Sequence, residues 1–220
     1  MKEQLKGIGM VMIGVLISLG LTGSLFAQQP TGLSALDSLV SRFLEQARNS
    51  WSDLNVPFED GKTLYSLVLK GRFKNILEIG TSTGHSTIWL AWAASKTGGR
   101  VTTIEINRER YEKALANFKQ AGVASYISAR LADAHQLVPR LNGPYDFVFC
   151  DADKDWYLQY FLDLEAKISS RGCFTAHNVL WRYDPYIKKF LDYVQGNPGF
   201  QTHVEKASGE GVSVSCRVEK

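Results

Sequence analysis

An α/β fold, with a mostly parallel sheet and helices on both faces, is predicted by three observations. Between residues 75 and 176, strand-like apolar runs alternate with helical patterns joined by short connections. The first of these strands runs into a glycine-rich turn that opens a helix. The chain has 220 residues, 45% hydrophobic and 21% charged, enough for one sizeable domain and too few for two comfortable ones.

The first 27 residues stand apart. Lys2 and Lys6 precede an uncharged apolar stretch from Ile8 to Phe26, and Ala27 follows it. A basic start, a hydrophobic segment and a small residue for cleavage predict an export signal. Leu25, where a small residue is preferred, and the length of the stretch leave a retained membrane anchor through residues 8–26 as the alternative. In both cases the lysines favour sending the domain out of the cytoplasm, to a periplasmic, extracellular or membrane-anchored location. Residues 28–33, containing Gln28-Gln29-Pro30-Thr31-Gly32, form a linker, and 34–220 form the domain.

Within the domain, Leu36, Leu39, Val40, Phe43 and Leu44 repeat at helical spacing over 34–50, and a turn at Pro57 leads to a helix over 59–70. Strands are predicted at Asn75–Glu78, Arg100–Ile104, Tyr126–Ala129, Asp146–Cys150 and Gly172–Ala176. Helices are predicted near 84–95, 108–120, 134–141 and 155–168. A last helix over 184–195 precedes strands at Gln201–Val204 and Val212–Val218, and the turn at Gly209-Glu210-Gly211 suits an antiparallel edge hairpin. Cys150, Cys173 and Cys216 lack any zinc-ligand spacing and lie in apolar strand-like runs, so buried free thiols are expected rather than a disulfide. The net charge of +3 is spread without a long basic run, which gives no support to a nucleic-acid partner.

The sharpest local signal is Ile76-Leu77-Glu78-Ile79-Gly80-Thr81-Ser82-Thr83-Gly84-His85-Ser86. Gly80 lets backbone pass close to a ligand, and Gly84 starts a helix with no side chain in the way. The spacing is G-x-x-x-G, not the G-x-G-x-x-G of dinucleotide sites. A wider, hydroxyl-rich loop behind the acidic Glu78 suits a cationic amino-acid cofactor better than a pyrophosphate. Glu105, at the end of the second strand, can accept both hydroxyls of a ribose; its plainer role is a helix N-terminal acid. Asp133, after the third strand, can receive an adenine amino group or simply cap a helix.

From about Val56 onward the chain resembles the cation-dependent O-methyltransferases, which include catechol and caffeoyl-coenzyme A O-methyltransferases. The stretches that carry the resemblance are Asn55-Val56-Pro57, Leu77-Glu78-Ile79-Gly80-Thr81, Thr103-Ile104-Glu105-Ile106 and Asp151-Ala152-Asp153-Lys154. It implies a Rossmann-like, seven-stranded sheet of the class I methyltransferase kind with an antiparallel last strand, and a possible homodimer. It implies S-adenosylmethionine as cofactor, contacted by Val56, Glu78, Gly80, Thr81, Ser86, Glu105 and Ala134, with Asp133 and Asp151 added to that set.

The fourth and fifth strands end at Asp151 and at His177-Asn178, where a parallel sheet binds its ligands. The resemblance implies a divalent cation held at these positions by Asp, Asp and Asn; here Asp151 and Asn178 match and the middle residue is His177. A transition metal would tolerate that exchange better than magnesium. His177 acting as a general base, or merely hydrogen-bonding Asp151, are the other two readings. Lys154 matches the lysine to which the resemblance gives the acceptor's hydroxyl proton; otherwise it is a helix-start surface lysine. Asp153 and Asp155 read as helix N-terminal acids, and Trp156, Tyr157, Trp181 and Tyr183 more as packing than as an aromatic substrate pocket. The function expected is methyl transfer to a hydroxyl of a small, aromatic, catechol-like substrate. The rivals are an exported, non-catalytic binding protein on the same fold and, less favoured, a nucleotide-dependent oxidoreductase.

Overall fold

Seven strands make one sheet in the order β3-β2-β1-β4-β5-β7-β6. In this computed structural model, which describes residues 34–51, 53–181 and 183–218, the strands are β1 Asn75–Ile79, β2 Arg100–Glu105, β3 Ile127–Leu131, β4 Tyr145–Cys150, β5 Ile168–His177, β6 Phe200–Glu205 and β7 Val212–Arg217. β1 to β5 are parallel, and β7 pairs antiparallel with both β5 and β6. The helices are α1 Ala35–Gln46, α2 Phe58–Gly71, α3 His85–Thr97, α4 Arg108–Gln120, α5 Ala134–Leu137, α6 Tyr157–Glu165 and α7 Pro185–Gly196. The proposed export segment 1–27 and linker 28–33 lie outside the described residues. Among the described residues no helix is long and apolar enough to cross a membrane.

Strand alternation divides the core into two layers. On one side Ile76, Phe147, Phe149 and Cys173 pack under α1, α2, α3 and α4. On the other Leu77, Ile79, Val148 and Phe174 pack under α6 and α7. Each fully buried Leu or Phe contributes about 1.5–3 kcal/mol, so both layers are needed. The same alternation puts His177, in step with Cys173 and Thr175, on the α2 side of the sheet.

α1 is fixed at its start by a capping box, in which Asp37 N donates to Ser34 Oγ at 3.1 Å and Ser34 N donates to Asp37 Oδ2 at 3.1 Å. Trp92 Nε1 of α3 donates to Asp37 Oδ1 at 2.6 Å, and Lys96 pairs with the same carboxylate. Burial opposes ionisation of Asp37, yet Lys96, Trp92 and Ser34 hold its pKa well below the usual carboxylate range.

Three expectations need correction. The strand predicted from Gly172 begins at Ile168, because Tyr145 pairs with Ile168 before the register shifts to Phe147 opposite Cys173. The helices predicted over 134–141 and 155–168 are shorter. Ala134–Leu137 passes into a 3-10 turn at Val138–Arg140, and a 3-10 turn at Lys154–Trp156 leads into α6. The cysteines are not all free thiols: Cys173 and Cys216 form a disulfide, and Cys150 alone is free and buried. Both do lie in apolar strands, but the antiparallel β5–β7 register sets them directly opposite each other, Cα to Cα 4.0 Å. A separation of 43 residues carries no trace of that register.

Candidate active site

The carboxyl ends of the parallel strands open into a cavity of about 560 Å³. Gly80, Glu105, Asp133, Asp151, Lys154 and His177 all line it, together with Ala134 and Asn178. Most of the residues singled out from sequence therefore meet in one place, as the switch from strand to helix in an α/β sheet requires.

Its floor is the turn after β1. Gly80 has φ +96°, and a Cβ there would lie 2.3 Å from the Asp151 carbonyl oxygen, so only glycine lets β1 and β4 end side by side. Gly84 has φ +98°, and a Cβ there would meet the Phe118 ring at 2.5 Å. Glu78, Thr81 and Ser86 lie beneath this floor, all buried. Glu78 Oε2 accepts from Thr103 Oγ1 at 2.5 Å and from Thr87, while Oε1 has no partner among the described residues. Burial raises the Glu78 pKa to about 7, while the nearby hydroxyls of Ser86, Thr103 and Thr87 pull it the other way. An orphaned, fully buried carboxylate oxygen under the cavity fits an ammonium group brought by a ligand.

Glu105 is 6% exposed at the end of β2, receiving Ser82 N at 2.7 Å and Asn107 N at 2.9 Å. Those bonds orient the carboxylate and leave lone pairs toward the cavity. Asp133 caps α5, taking His135 N at 2.9 Å. Val56 is placed differently from its neighbours. Asn55 and Pro57 line the cavity, but the Val56 side chain joins the core and its carbonyl takes His85 Nδ1–H at 2.8 Å. Burial lowers the His85 pKa to about 4, and its Nε2 accepts from Trp89 Nε1 at 3.1 Å.

The other end of the cavity is a chain of charges. Lys154 Nζ donates to Asp151 Oδ1 at 2.9 Å and to the buried Tyr157 hydroxyl at 2.8 Å. His177 Nδ1 is hydrogen-bonded to Asp151 Oδ2 at 3.2 Å, and His177 Nε2 to Asp60 Oδ2 at 2.9 Å. Ser208 Oγ donates to that same Asp60 oxygen at 2.5 Å. Burial alone would push the His177 pKa down, but Asp151 and Asp60 drive it well up. Burial would likewise raise Asp151, but His177 and Lys154 bring it down. Asn178, at φ +57°, donates its amide to Glu210 at 2.8 Å.

Asp60, Ser208 and Glu210 are the site residues that sequence reasoning missed. A signal for Asp60 existed: Asp60, Leu64 and Val68 share one buried face of α2, so a carboxylate interrupts an apolar stripe. Among the aromatics, Tyr157 is fully buried, Tyr183 is 84% exposed, and Trp181 lines the cavity. Tyr160 also lines it, with a buried hydroxyl that has no partner among the described residues.

The three residues expected around a divalent cation are engaged with one another and with their neighbours. The two oxygens of Asp151 are hydrogen-bonded to Lys154 and to His177, and both ring nitrogens of His177 face carboxylates. A bound metal would have to displace those partners and release any proton from the ring nitrogen it takes. Asn178 Oδ1 is the remaining candidate donor of the three. Among the described residues no cluster of three His, Cys, Asp or Glu side chains is suited to hold a metal ion.

A family model described as O-methyltransferase matches residues 33–185. The chain is 31% identical over 181 residues to caffeoyl-CoA O-methyltransferase 1 of Eucalyptus globulus, covering 77% of this chain and 71% of that one. It is 36% identical over 129 residues to a catechol O-methyltransferase of Niastella koreensis, covering 57% and 58%. Among solved structures it is similar to the O-methyltransferase TomG of Streptomyces achromogenes in complex with SAM. That likeness has a TM-score of 0.69 at 27% identity and covers 83% of this chain and 90% of that one.

Proposed function

Because the chain belongs to the O-methyltransferase family and is an S-adenosylmethionine-dependent enzyme, we propose that it methylates a hydroxyl of a small aromatic, catechol-like acceptor. The observation that carries this reading is one cavity with an anionic end at Glu105 and Asp133, over the buried Glu78, and a lysine-bearing end at Asp151 and Lys154. The caffeoyl-CoA and catechol relatives support the aromatic acceptor. The non-catalytic and oxidoreductase readings have no comparable support.

S-adenosylmethionine, when bound, supplies a methyl group on a positively charged sulfur. The chain's own residues do the rest. Glu105 takes the ribose hydroxyls, Asp133 the adenine amino group, and Glu78 receives the ammonium group through its free oxygen. The Gly80–Thr81 backbone brings the cofactor against the end of β4, beside Asp151. Lys154, held at the cavity wall by Asp151, Tyr157 and the Ala152 carbonyl, would place its positive charge near the acceptor oxygen and favour that oxygen's anionic form. Trp181 covers the apolar face of the ring. Alignment of acceptor oxygen and methyl carbon inside a closed site accounts for much of the remaining acceleration. The test is a methyl-transfer screen of the protein lacking residues 1–27 against catechols, other phenols and aliphatic alcohols. Transfer to aliphatic alcohols alone would overturn the aromatic reading.

A second reading concerns location. An intradomain disulfide is typical of chains that fold in oxidising compartments, and it favours the export reading of residues 1–27. Fusing those residues to a reporter active only outside the cytoplasm tests it; activity confined to the cytoplasm would refute export.

A further inference from the structure

Glu210 lines the acceptor end of the cavity and has no part in the reaction proposed above. It is half-buried in the loop between β6 and β7, and its neighbours hold it from three directions. Glu210 Oε2 accepts from Asn178 Nδ2 at 2.8 Å, and Glu210 N donates to Ser208 Oγ at 3.0 Å. Leu180 N donates to the Glu210 carbonyl at 3.0 Å, and Val179 N donates to the Gly211 carbonyl at 3.3 Å. The loop is thereby knitted to the turn that follows β5, which also brings Trp181 to the cavity wall.

Of the two carboxylate oxygens, Oε1 has no partner among the described residues. The lysine and the arginine among the described lining residues are each answered elsewhere, Lys154 by Asp151 at 2.9 Å and Arg110 by Asp53 at 2.8 Å. A fixed carboxylate with an open oxygen and no spare lysine or arginine beside it attracts a hydrogen-bond donor or a cation and repels a second anion. We propose that Glu210 is the specificity residue for the acceptor. It reads the substituent that the aromatic ring carries away from its reacting hydroxyl, taking a hydroxyl, amide or ammonium group and rejecting a carboxylate or a phosphate-bearing tail. The inference rests on the methyl transfer proposed above and narrows its substrate class to uncharged and cationic phenols. Glu210 engages only the amide nitrogen of Asn178, so the same selection operates with or without a cation at Asn178 Oδ1.

The test uses the full-length chain with saturating S-adenosylmethionine, magnesium and manganese throughout. The acceptors share one catechol ring and differ in a tail that ends in an ammonium, an amide, a carboxylate or a coenzyme A thioester. kcat/KM should fall in that order. The ammonium compound should lead the carboxylate by about 5–20-fold at low salt, and by less at about 0.5 M salt. Glu210→Gln keeps an oxygen for Asn178 and removes the charge, so that ratio should shrink to within about twofold and lose its salt dependence. A glutamate with a merely structural role would lower all the rates together and leave their ratio in place. That outcome, a wild-type preference for the carboxylate or the thioester, or a wild-type ratio indifferent to salt would each overturn the proposal, the last two even if the variant does not fold. Calorimetric affinities of the same compounds, measured with S-adenosylhomocysteine present, give the same ratio without turnover. If none of the compounds is methylated, the proposed function fails while the affinity ratio still decides Glu210; if none of them binds, both fall.

Discussion

At the proposed cofactor end of the cavity every candidate anchoring group sits on a strand or in the turn that follows it, whereas the proposed acceptor end joins residues far apart in the chain. Glu78, Glu105 and Asp133 follow one another along successive strand-to-helix turns. His177 meets Asp60 across 117 positions, and Ser208 meets Asp60 across 148. The first arrangement needs only the parallel sheet to be correct. The second needs α2 to dock on the sheet beside β5 and the β6–β7 loop to close over it. A cofactor grip of local parts should be separable from a turnover apparatus of distant ones.

The strongest test of that separation is Lys154→Met. Losing the ammonium beside the acceptor oxygen should lower methyl transfer by roughly 10²–10⁴-fold, while calorimetric affinity for S-adenosylmethionine stays within about threefold. A parallel collapse of affinity would mean that the two ends are one unit. Glu105→Ala is the reciprocal experiment. Two charge-assisted hydrogen bonds to the ribose would be lost, on the order of 2–4 kcal/mol of binding, with the rate at saturating cofactor largely kept. Unchanged affinity would reduce Glu105 to a holder of Ser82 and Asn107.

A smaller effect follows from Glu78, whose pKa is raised by burial to about 7. Below that pH the carboxyl is neutral in the free protein and must lose its proton to meet an ammonium group. Affinity for S-adenosylmethionine should therefore fall as pH drops below 7, by up to about tenfold per unit, and level off above it. Calorimetry in buffers of different ionisation enthalpy would register the released proton. Glu78→Gln should flatten the profile, and a pH-independent affinity in the wild type would exclude this role.

The smallest effect belongs to a site remote from both ends. Asp37→Asn weakens the α1 capping box and its tie to Trp92 and Lys96, at a cost of about 1 kcal/mol in a thermal or denaturant melt. Because the Asp37 pKa is depressed, its contribution is present above the ordinary carboxylate pKa and is lost as pH falls below it. Cofactor affinity and turnover should both be unmoved; a change in either would show that α1 reaches the site.

The chain's pattern by itself determined the sheet of parallel strands, the order of its helices, the glycine turn at Gly80–Gly84 and the acids at Glu78, Glu105 and Asp133. Hydrophobic periodicity and turn chemistry act over a few residues, and a parallel α/β sheet converts that local order directly into a ligand-binding edge. Only the tertiary structure decided that His177 lies between Asp60 and Asp151, that Cys173 pairs with Cys216, and that Val56 turns inward while Asn55 and Pro57 face the cavity. Those outcomes depend on which helix packs against which strand and in what register. An acid in a helix's first turn carries the same local signal whether it faces water or a buried histidine ring. The cost of burying a charge is met by its partner, and the partner is named by packing and not by position in the chain.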